Sequence, residues 1–281
     1  MSDTAQQLRL FEPPQPLVER LGADFFRAIP RAAGVYQMHD AAGVLVYVGK
    51  AGDLRARLNS YRRTRNQSRK TVRLIHTAAT IRWEVCPSEA EARLRENELL
   101  RLHRPRFNKA GTWPLGEYLH SVSSSPTELH LRLDRTPAPG CQGAFRSSVR
   151  WTLGCLGQLI WLKEQGWPNP ATLPFSLSAQ PAPRELRLTG STAETWRTPL
   201  MDYFRGYSEE LIDRLKPAQF TSDQAFARAF HTASMQCLED FFVRGPQRNR
   251  WLRQRFPSER TWIEPTELDD LPIRSEVRPS T

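Results

Sequence analysis

The stretch GVYQMHDAAGVLVYVGKAGDLRARLNSY, residues 34–61, decides the reading of this chain. VYQMHD and VLVYVG are rich in β-branched and aromatic residues, and the D-A-A-G between them is turn chemistry, so together they read as a hairpin. Alternation along the second strand places Tyr47 and Gly49 on one face and Val46 and Val48 on the other. Tyr36 and Tyr47 are then expected side by side on paired strands. Gly49 closes its strand where a backbone can approach a ligand. Pattern alone, however, describes two amphipathic tyrosines with rings in the core and hydroxyls in water.

Working outward, LVERLGADFFRAI has helical spacing with Leu17, Leu21 and Phe25 on one face, and Pro30 ends it. LRARLNSYRR and VRLIHTAA are helix-like, and IRWEV reads as a third strand. SEAEARLRENELLRLHR is the clearest helix, opened by a Ser88/Glu91 capping box and closed by Pro105. The order ββααβα in under about 80 residues predicts a small α+β domain with a short, mostly antiparallel three-stranded sheet flanked by helices. After Asn108 the pattern is mainly helical, although ELHLRLDR alternates like a strand. The expected organisation is a flexible tail over 1–16, a domain with its leading helix over 17–110, an accessory region over 111–255 containing a Pro-rich linker near 168–187, and a loose tail over 256–281.

The 281 residues are long enough for two modest domains, and 39% hydrophobic content with 22 prolines suits compact parts joined by irregular segments. No apolar run reaches the roughly 18 residues needed to cross a bilayer, and MSDTAQQLRLFEPP lacks the pattern of a secretory signal, so a cytoplasmic protein is expected. Cys86, Cys141, Cys155 and Cys237 are widely and irregularly spaced, which argues against a disulfide framework or a zinc site. Charge is uneven: residues 34–110 hold 16 Lys or Arg against 7 Asp or Glu, a net +9 of the chain's +10. A surplus packed into one segment is the footprint of a polyanion, and nucleic acid is the leading partner class. Arg55, Arg62, Arg63, Arg65, Arg69, Lys70, Arg104 and Arg106 are the candidate DNA contacts.

Two further features converge on the hairpin. Ala92, Glu96, Leu99 and His103 share one face of the last helix, where a carboxylate is costly to bury unless it is paired or binds a cation. The bland reading of Glu96 is a salt bridge to a nearby arginine. Arg57 and Tyr61 stand four apart after Gly49 and project together, as an ordinary surface cation and aromatic pair also would.

In combination, GVY, YVGKA, Arg57 eight residues past Gly49, Ser60-Tyr61, the helical Glu96 and RPRFN resemble the GIY-YIG nuclease family over about residues 30–110. The version is that of the UvrC N-terminal domain and its short homologue Cho. GAFRSSVRWTLGCLGQLI and YFRGYSEELIDRL are more loosely similar to later UvrC segments, the second to the stretch leading to the UvrB-binding region. The resemblance implies that Glu96 holds one divalent ion, Mg²⁺ or Mn²⁺, and that Tyr36 or Tyr47 orients or deprotonates the attacking water. It also implies Lys50 beside that tyrosine, Arg57 on the scissile phosphate, Tyr61 supporting the phosphate or leaving side, and Gly34 and Gly49 giving turn and backbone room. Such roles are physically coherent, because a metal and an arginine stabilise charge growing on a phosphodiester. A phenol with its usual pKa near 10 also needs a cationic neighbour to act as a base.

The implied activity is hydrolysis of one strand of DNA, a 3′ incision in nucleotide excision repair, with UvrB of the UvrABC system as a partner. The chain lacks the second nuclease domain and the helix-hairpin-helix module of UvrC, so a single incision is expected, and PFSLSAQPAPRELRL carries no cysteine cluster. Alternatives are a nuclease of a mobile element or restriction system, and a DNA-binding accessory protein without activity. Separately, Gln7, Leu8, Leu10 and Phe11 lie in a pentapeptide resembling those by which bacterial DNA enzymes dock on the replicative sliding clamp.

Overall fold

The computed structural model describes residues 15–65, 67–109, 112, 114–178, 182–217 and 225–277. Residues 7–11, with the clamp-like pentapeptide, lie outside the described residues, as does most of the expected N-terminal tail. The chain forms two compact units, one of Met1–Pro114 with Ile273–Thr281 and one of Leu115–Pro272.

In the first unit β1 (Gly34–His39) is the central strand of a three-stranded antiparallel sheet, between β2 (Leu45–Ala51) and β3 (Thr80–Val85). The β1/β2 turn is made as its residue types predict. Asp40 accepts from the N–H groups of Ala42 and Val44, and Gly43 supplies a φ of +78°. Helices α3 (Leu54–Asn59), α4 (Arg69–Thr77) and α5 (Glu89–His103) are opened by the side chains of Asp53, Ser68 and Ser88, each accepting from a first-turn N–H. α3 tightens into a 3₁₀ turn at Ser60–Arg62, which carries Tyr61 into the core. The leading helix is not continuous. It breaks at Gly22, with φ +83°, into α1 (Pro16–Leu21) and α2 (Ala23–Ala28), because glycine adopts that conformation without steric cost.

The sheet separates two apolar clusters. Tyr36 and Met38 pack with Leu54, Leu58, Tyr61 and Ile75, while Val35 and Val48 pack with Ala92, Leu99 and Leu100 of α5. Simple alternation fails for Val46. The β1/β2 register slips between Met38 and His39, so that Met38 faces Tyr47 and His39 faces Leu45, and Val46 joins the Tyr36 cluster instead of sharing a side with Val48.

β2 is an edge strand, and its outward groups are satisfied by residues later in the chain. Lys50 donates its N–H to Glu96 at 3.1 Å, the Asn108 side chain bonds both N–H and C=O of Val48 at 3.0 and 2.9 Å, and Phe107 donates its N–H to Val46 at 3.0 Å. The α5 carboxylate and the RPRFN turn thus close the sheet's free side.

The second unit has an antiparallel sheet ordered β6 (Gln142–Phe145), β4 (Glu117–Val122), β5 (Glu128–Asp134), β7 (Glu185–Thr189). Its helices are α6 (Ser148–Glu164), α7 (Phe175–Ser178), α8 (Gly190–Arg205), α9 (Glu210–Arg214), α10 (Ala225–Phe242), α11 (Arg248–Arg255) and the start of α12 (Glu267–Glu276). Helix predominates, and the apolar face of α6 packs onto the sheet through Leu153, Leu156 and Leu159. Two expectations need correction. The end of the expected linker, 185–187, belongs to β7, whose Leu186 and Leu188 alternate into the core. The expected loose tail holds α12, with Ile263, Leu268 and Ile273 buried at spacings too sparse to stand out among its polar residues.

Gly34 shows how tightly the first sheet is assembled. A Cβ there meets the Glu84 carbonyl oxygen at 2.2 Å and Leu54 Cδ1 at 2.7 Å. Gly34→Ala is expected to cost about 1–3 kcal/mol in urea unfolding, as overpacking does. An unchanged midpoint would contradict the register described.

Candidate active site

The carboxyl end of β2 and the start of α3 bring most of the sequence-predicted residues together. Tyr36 is fully buried, and its ring lies across Gly49, the residue opposite it in the β1/β2 register. A Cβ on Gly49 falls 2.5 Å from both Cζ and the hydroxyl of Tyr36, so only glycine leaves room for the ring. The Tyr36 hydroxyl is 2.9 Å from that of Tyr61 and accepts from Arg57 Nε at 3.1 Å. The Arg57 guanidinium also stands 5.1 Å from the Tyr61 ring centroid. This double contact fixes a long side chain, and no bond to its terminal nitrogens is made among the described residues. Tyr47, half-buried, completes the aromatic wall with its ring 6.0 Å from that of Tyr36.

Burial pushes the Tyr36 phenol well above its ordinary pKa, Tyr61 and Tyr47 push the same way, and Arg57 only partly opposes them. Tyr61 is raised too, chiefly by burial. These two hydroxyls therefore stay protonated around neutral pH and act as hydrogen-bond donors and acceptors.

Glu96 stands at the edge of this wall. Its Oε1 accepts the Lys50 N–H, and its Oε2 has no hydrogen bond or ion pair among the described residues. Burial raises its pKa, while the Lys50 charge, the Lys50 N–H and Arg57 pull it down. No arginine forms a salt bridge with it among the described residues, so the bland sequence reading does not describe its environment. It is a partly buried carboxylate with one lone-pair face free, a hard oxygen ligand of the kind that suits Mg²⁺ or Mn²⁺. The described residues hold no cluster of three or more His, Cys, Asp or Glu able to bind a metal.

The Lys50 ammonium pairs with Glu89 Oε1 at 3.0 Å, and that bond holds the Glu89 carboxyl below the usual range. Glu89, in the first turn of α5, and Asn108 are both absent from the sequence-derived site set. Glu89 had no distinguishing signal among the acidic residues of α5, whereas Asn108 ends the RPRFN landmark and was legible there.

The basic residues scatter. Arg55 spends its guanidinium on the carbonyls of Ile29 and Arg27, and Arg62 stacks 5.6 Å from the Phe26 ring and bonds Asn59. Both are occupied internally. Arg63, Arg65, Arg69, Lys70, Arg104 and Arg106 are exposed.

Residues 32–109 match the sequence profile of the UvrC-like GIY-YIG domain. This segment is a UvrC-like GIY-YIG domain. Among curated proteins, UvrABC system protein C of Yersinia enterocolitica is 44% identical over 85 residues and that of Shewanella loihica 43% over 84. Each match covers 30% of this chain and 14% of the relative, so the chain spans about one-seventh of these relatives' length. Among solved structures, the magnesium-bound GIY-YIG N-terminal endonuclease domain of UvrC from Thermotoga maritima is 32% identical. That match covers 31% of this chain and 93% of the other, with a TM-score of 0.28. The GIY-YIG domain here thus contains Tyr36, Tyr47, Lys50, Arg57, Tyr61 and Glu96 within the matched residues.

The buried phenol has a direct test. Between about pH 9 and 11, across the usual tyrosine range, native protein and Tyr36→Phe are expected to develop equal phenolate absorbance. A smaller rise in the variant means that Tyr36 ionises there. Because its folded pKa is raised, Tyr36 contributes stability below its unfolded pKa that is lost as pH climbs toward the folded one.

Proposed function

We propose that this chain is a metal-dependent DNA endonuclease that hydrolyses a phosphodiester bond on one strand, making a 3′ incision in nucleotide excision repair. The observation that carries the reading is the half-free Glu96 carboxylate beside the Tyr36–Arg57–Tyr61 hydrogen-bonded cluster in a UvrC-like GIY-YIG domain.

In this reading Glu96 would hold one Mg²⁺ or Mn²⁺ ion, which would supply Lewis acidity when bound. Arg57, its Nε anchored on Tyr36, directs its remaining N–H groups at the scissile phosphate and stabilises charge there. Tyr61 and Tyr36 hold that arginine, and Tyr36 remains neutral because burial keeps its phenol protonated. Tyr47, whose ring is the partly exposed one and whose hydroxyl is not engaged by Arg57, orients the attacking water, whose proton passes to bulk solvent. Lys50 contributes its N–H and its positive charge to keep Glu96 ionised. DNA and UvrB are the partners, and a clamp tether through residues 7–11 is part of the same proposal.

Glu96→Gln keeps an acceptor for the Lys50 N–H but removes the charge. It is expected to lower Mg²⁺-dependent nicking of supercoiled plasmid by roughly 10²-fold or more and to abolish any rise in melting temperature on adding Mg²⁺. Burial raises the Glu96 pKa, so its contribution to metal-free stability is present at low pH and lost as pH rises through that value. In chelator at neutral pH the variant should therefore be no less stable than wild type. Wild-type nicking should fall as acid protonates Glu96, because proton and cation compete for the same carboxylate. Undiminished nicking by Glu96→Gln sinks the proposal. Mapping the cut on a lesion duplex with and without UvrA and UvrB separates repair incision from free-standing activity: a cut 3′ to the lesion that depends on both supports the former.

For the tether, purified sliding clamp should be retained by wild type and not by a Leu10→Ala/Phe11→Ala variant. Equal retention by both, or by neither, removes that part.

A further inference from the structure

Away from the tyrosines, the first unit has a groove of about 590 Å³ between α4 and the segment after α5, within the size range of small-molecule sites. Arg69, Lys70 and Arg73 line one wall, Arg106 and Lys109 the other, and Phe107 contributes an aromatic ring. None of these residues has a role in the chemistry proposed above.

The charges are arranged against the interests of the fold. Arg69 and Lys70 occupy the first turn of α4, the end at which the helix dipole disfavours cations, and that turn contains no acidic residue. Arg69 and Arg73 stand four apart, a spacing at which like charges repel. Among the described residues the three α4 cations and Lys109 make no ion pair, and only Arg106 is bridged, to Asp40 at 3.2 Å. Such an arrangement is relieved by an anionic ligand.

Phe107 narrows the ligand. One side of its ring packs on the Tyr36 cluster, it is only half-buried, and the Arg106 guanidinium lies 5.6 Å from its centroid. Phosphates alone call for no aromatic surface. A flat π system with phosphates attached fits both parts, the base on the ring and the backbone on the cations. A base stacked inside a duplex cannot reach the ring, whereas an unpaired one can. The groove is also joined to the catalytic wall. Phe107 bonds the backbone of Val46 and Asn108 that of Val48, on either side of Tyr47 in β2.

We propose that this groove binds single-stranded DNA, seating an unpaired base on Phe107 and its phosphates on Arg69, Lys70, Arg73, Arg106 and Lys109. The proposal deepens the endonuclease reading and rests on it: the substrate is a strand that is locally open where it is cut.

The test is binding in chelator, in a Glu96→Gln background that separates affinity from cleavage, with a fluorescent thymidine oligonucleotide and a fully paired duplex as probes. Phe107→Leu keeps an apolar side chain for the core and removes the π face. It is expected to weaken single-strand binding about 5- to 150-fold, the effect of losing one stacked base, with duplex affinity within about twofold and an unchanged melting temperature. Phe107→Trp should restore single-strand binding. Arg69→Ala/Arg73→Ala should reduce the single-strand log–log salt slope by about 1.4, roughly 0.7 for each lost phosphate contact. The proposal is overturned if Phe107→Leu weakens both probes equally or neither, or if the arginine variant leaves the slope unchanged. Failure of the endonuclease reading is seen separately, as absence of nicking by wild type while these binding differences persist.

Discussion

The hydrogen bond from the Lys50 N–H to Glu96 is the constraint on which the rest of the site depends. β2 is an edge strand, and its unpaired backbone groups must find partners or be left to water. The chain answers with side chains that come later in sequence, Glu96 from α5 and Asn108 from the turn after it, together with the Phe107 N–H. One structural need therefore places a carboxylate at the end of the strand carrying Tyr47, Gly49 and Lys50. Because the bond uses only Oε1, the residue that closes the sheet keeps Oε2 without a partner among the described residues. Burial raises the pKa of this carboxyl, and the Lys50 charge and N–H oppose that rise.

On the other side of β2 the governing fact is the absence of a side chain at Gly49. The Tyr36 ring occupies that space and brings its hydroxyl to Tyr61 and Arg57. The two motif tyrosines consequently differ in physical character although their sequence contexts look alike. Tyr36 is enclosed, hydrogen-bonded and held protonated, whereas Tyr47 stands at the surface of the wall. The asymmetry arises because α3 and its 3₁₀ turn fold over Tyr36 and leave Tyr47 partly open.

Positive charge in the first unit serves more than one purpose. Arg55 and Arg62 stabilise local backbone and aromatic packing, Arg57 is held by the Tyr36 hydroxyl and the Tyr61 ring, and the α4 cations line a groove away from that wall. Sequence composition counts all of these alike. The distinction depends on whether carbonyls and rings lie within reach of each guanidinium, which is a property of the fold.

By itself the sequence determined the local elements. The Asp40 turn, the Asp53, Ser68 and Ser88 caps, the strand patterns and the order ββααβα are set by residues within a few positions of one another, and local propensity is read directly from such neighbours. The spacing of Tyr36, Tyr47, Arg57, Tyr61 and Glu96 was likewise legible. Only the tertiary structure decided which oxygen of Glu96 is free, that Lys50 pairs with Glu89, that Val46 leaves the side of Val48 at a register slip, and that α12 forms beyond residue 266. Each of these is set by partners that are close in space and distant in sequence, or by burial, and neither is encoded in a periodicity.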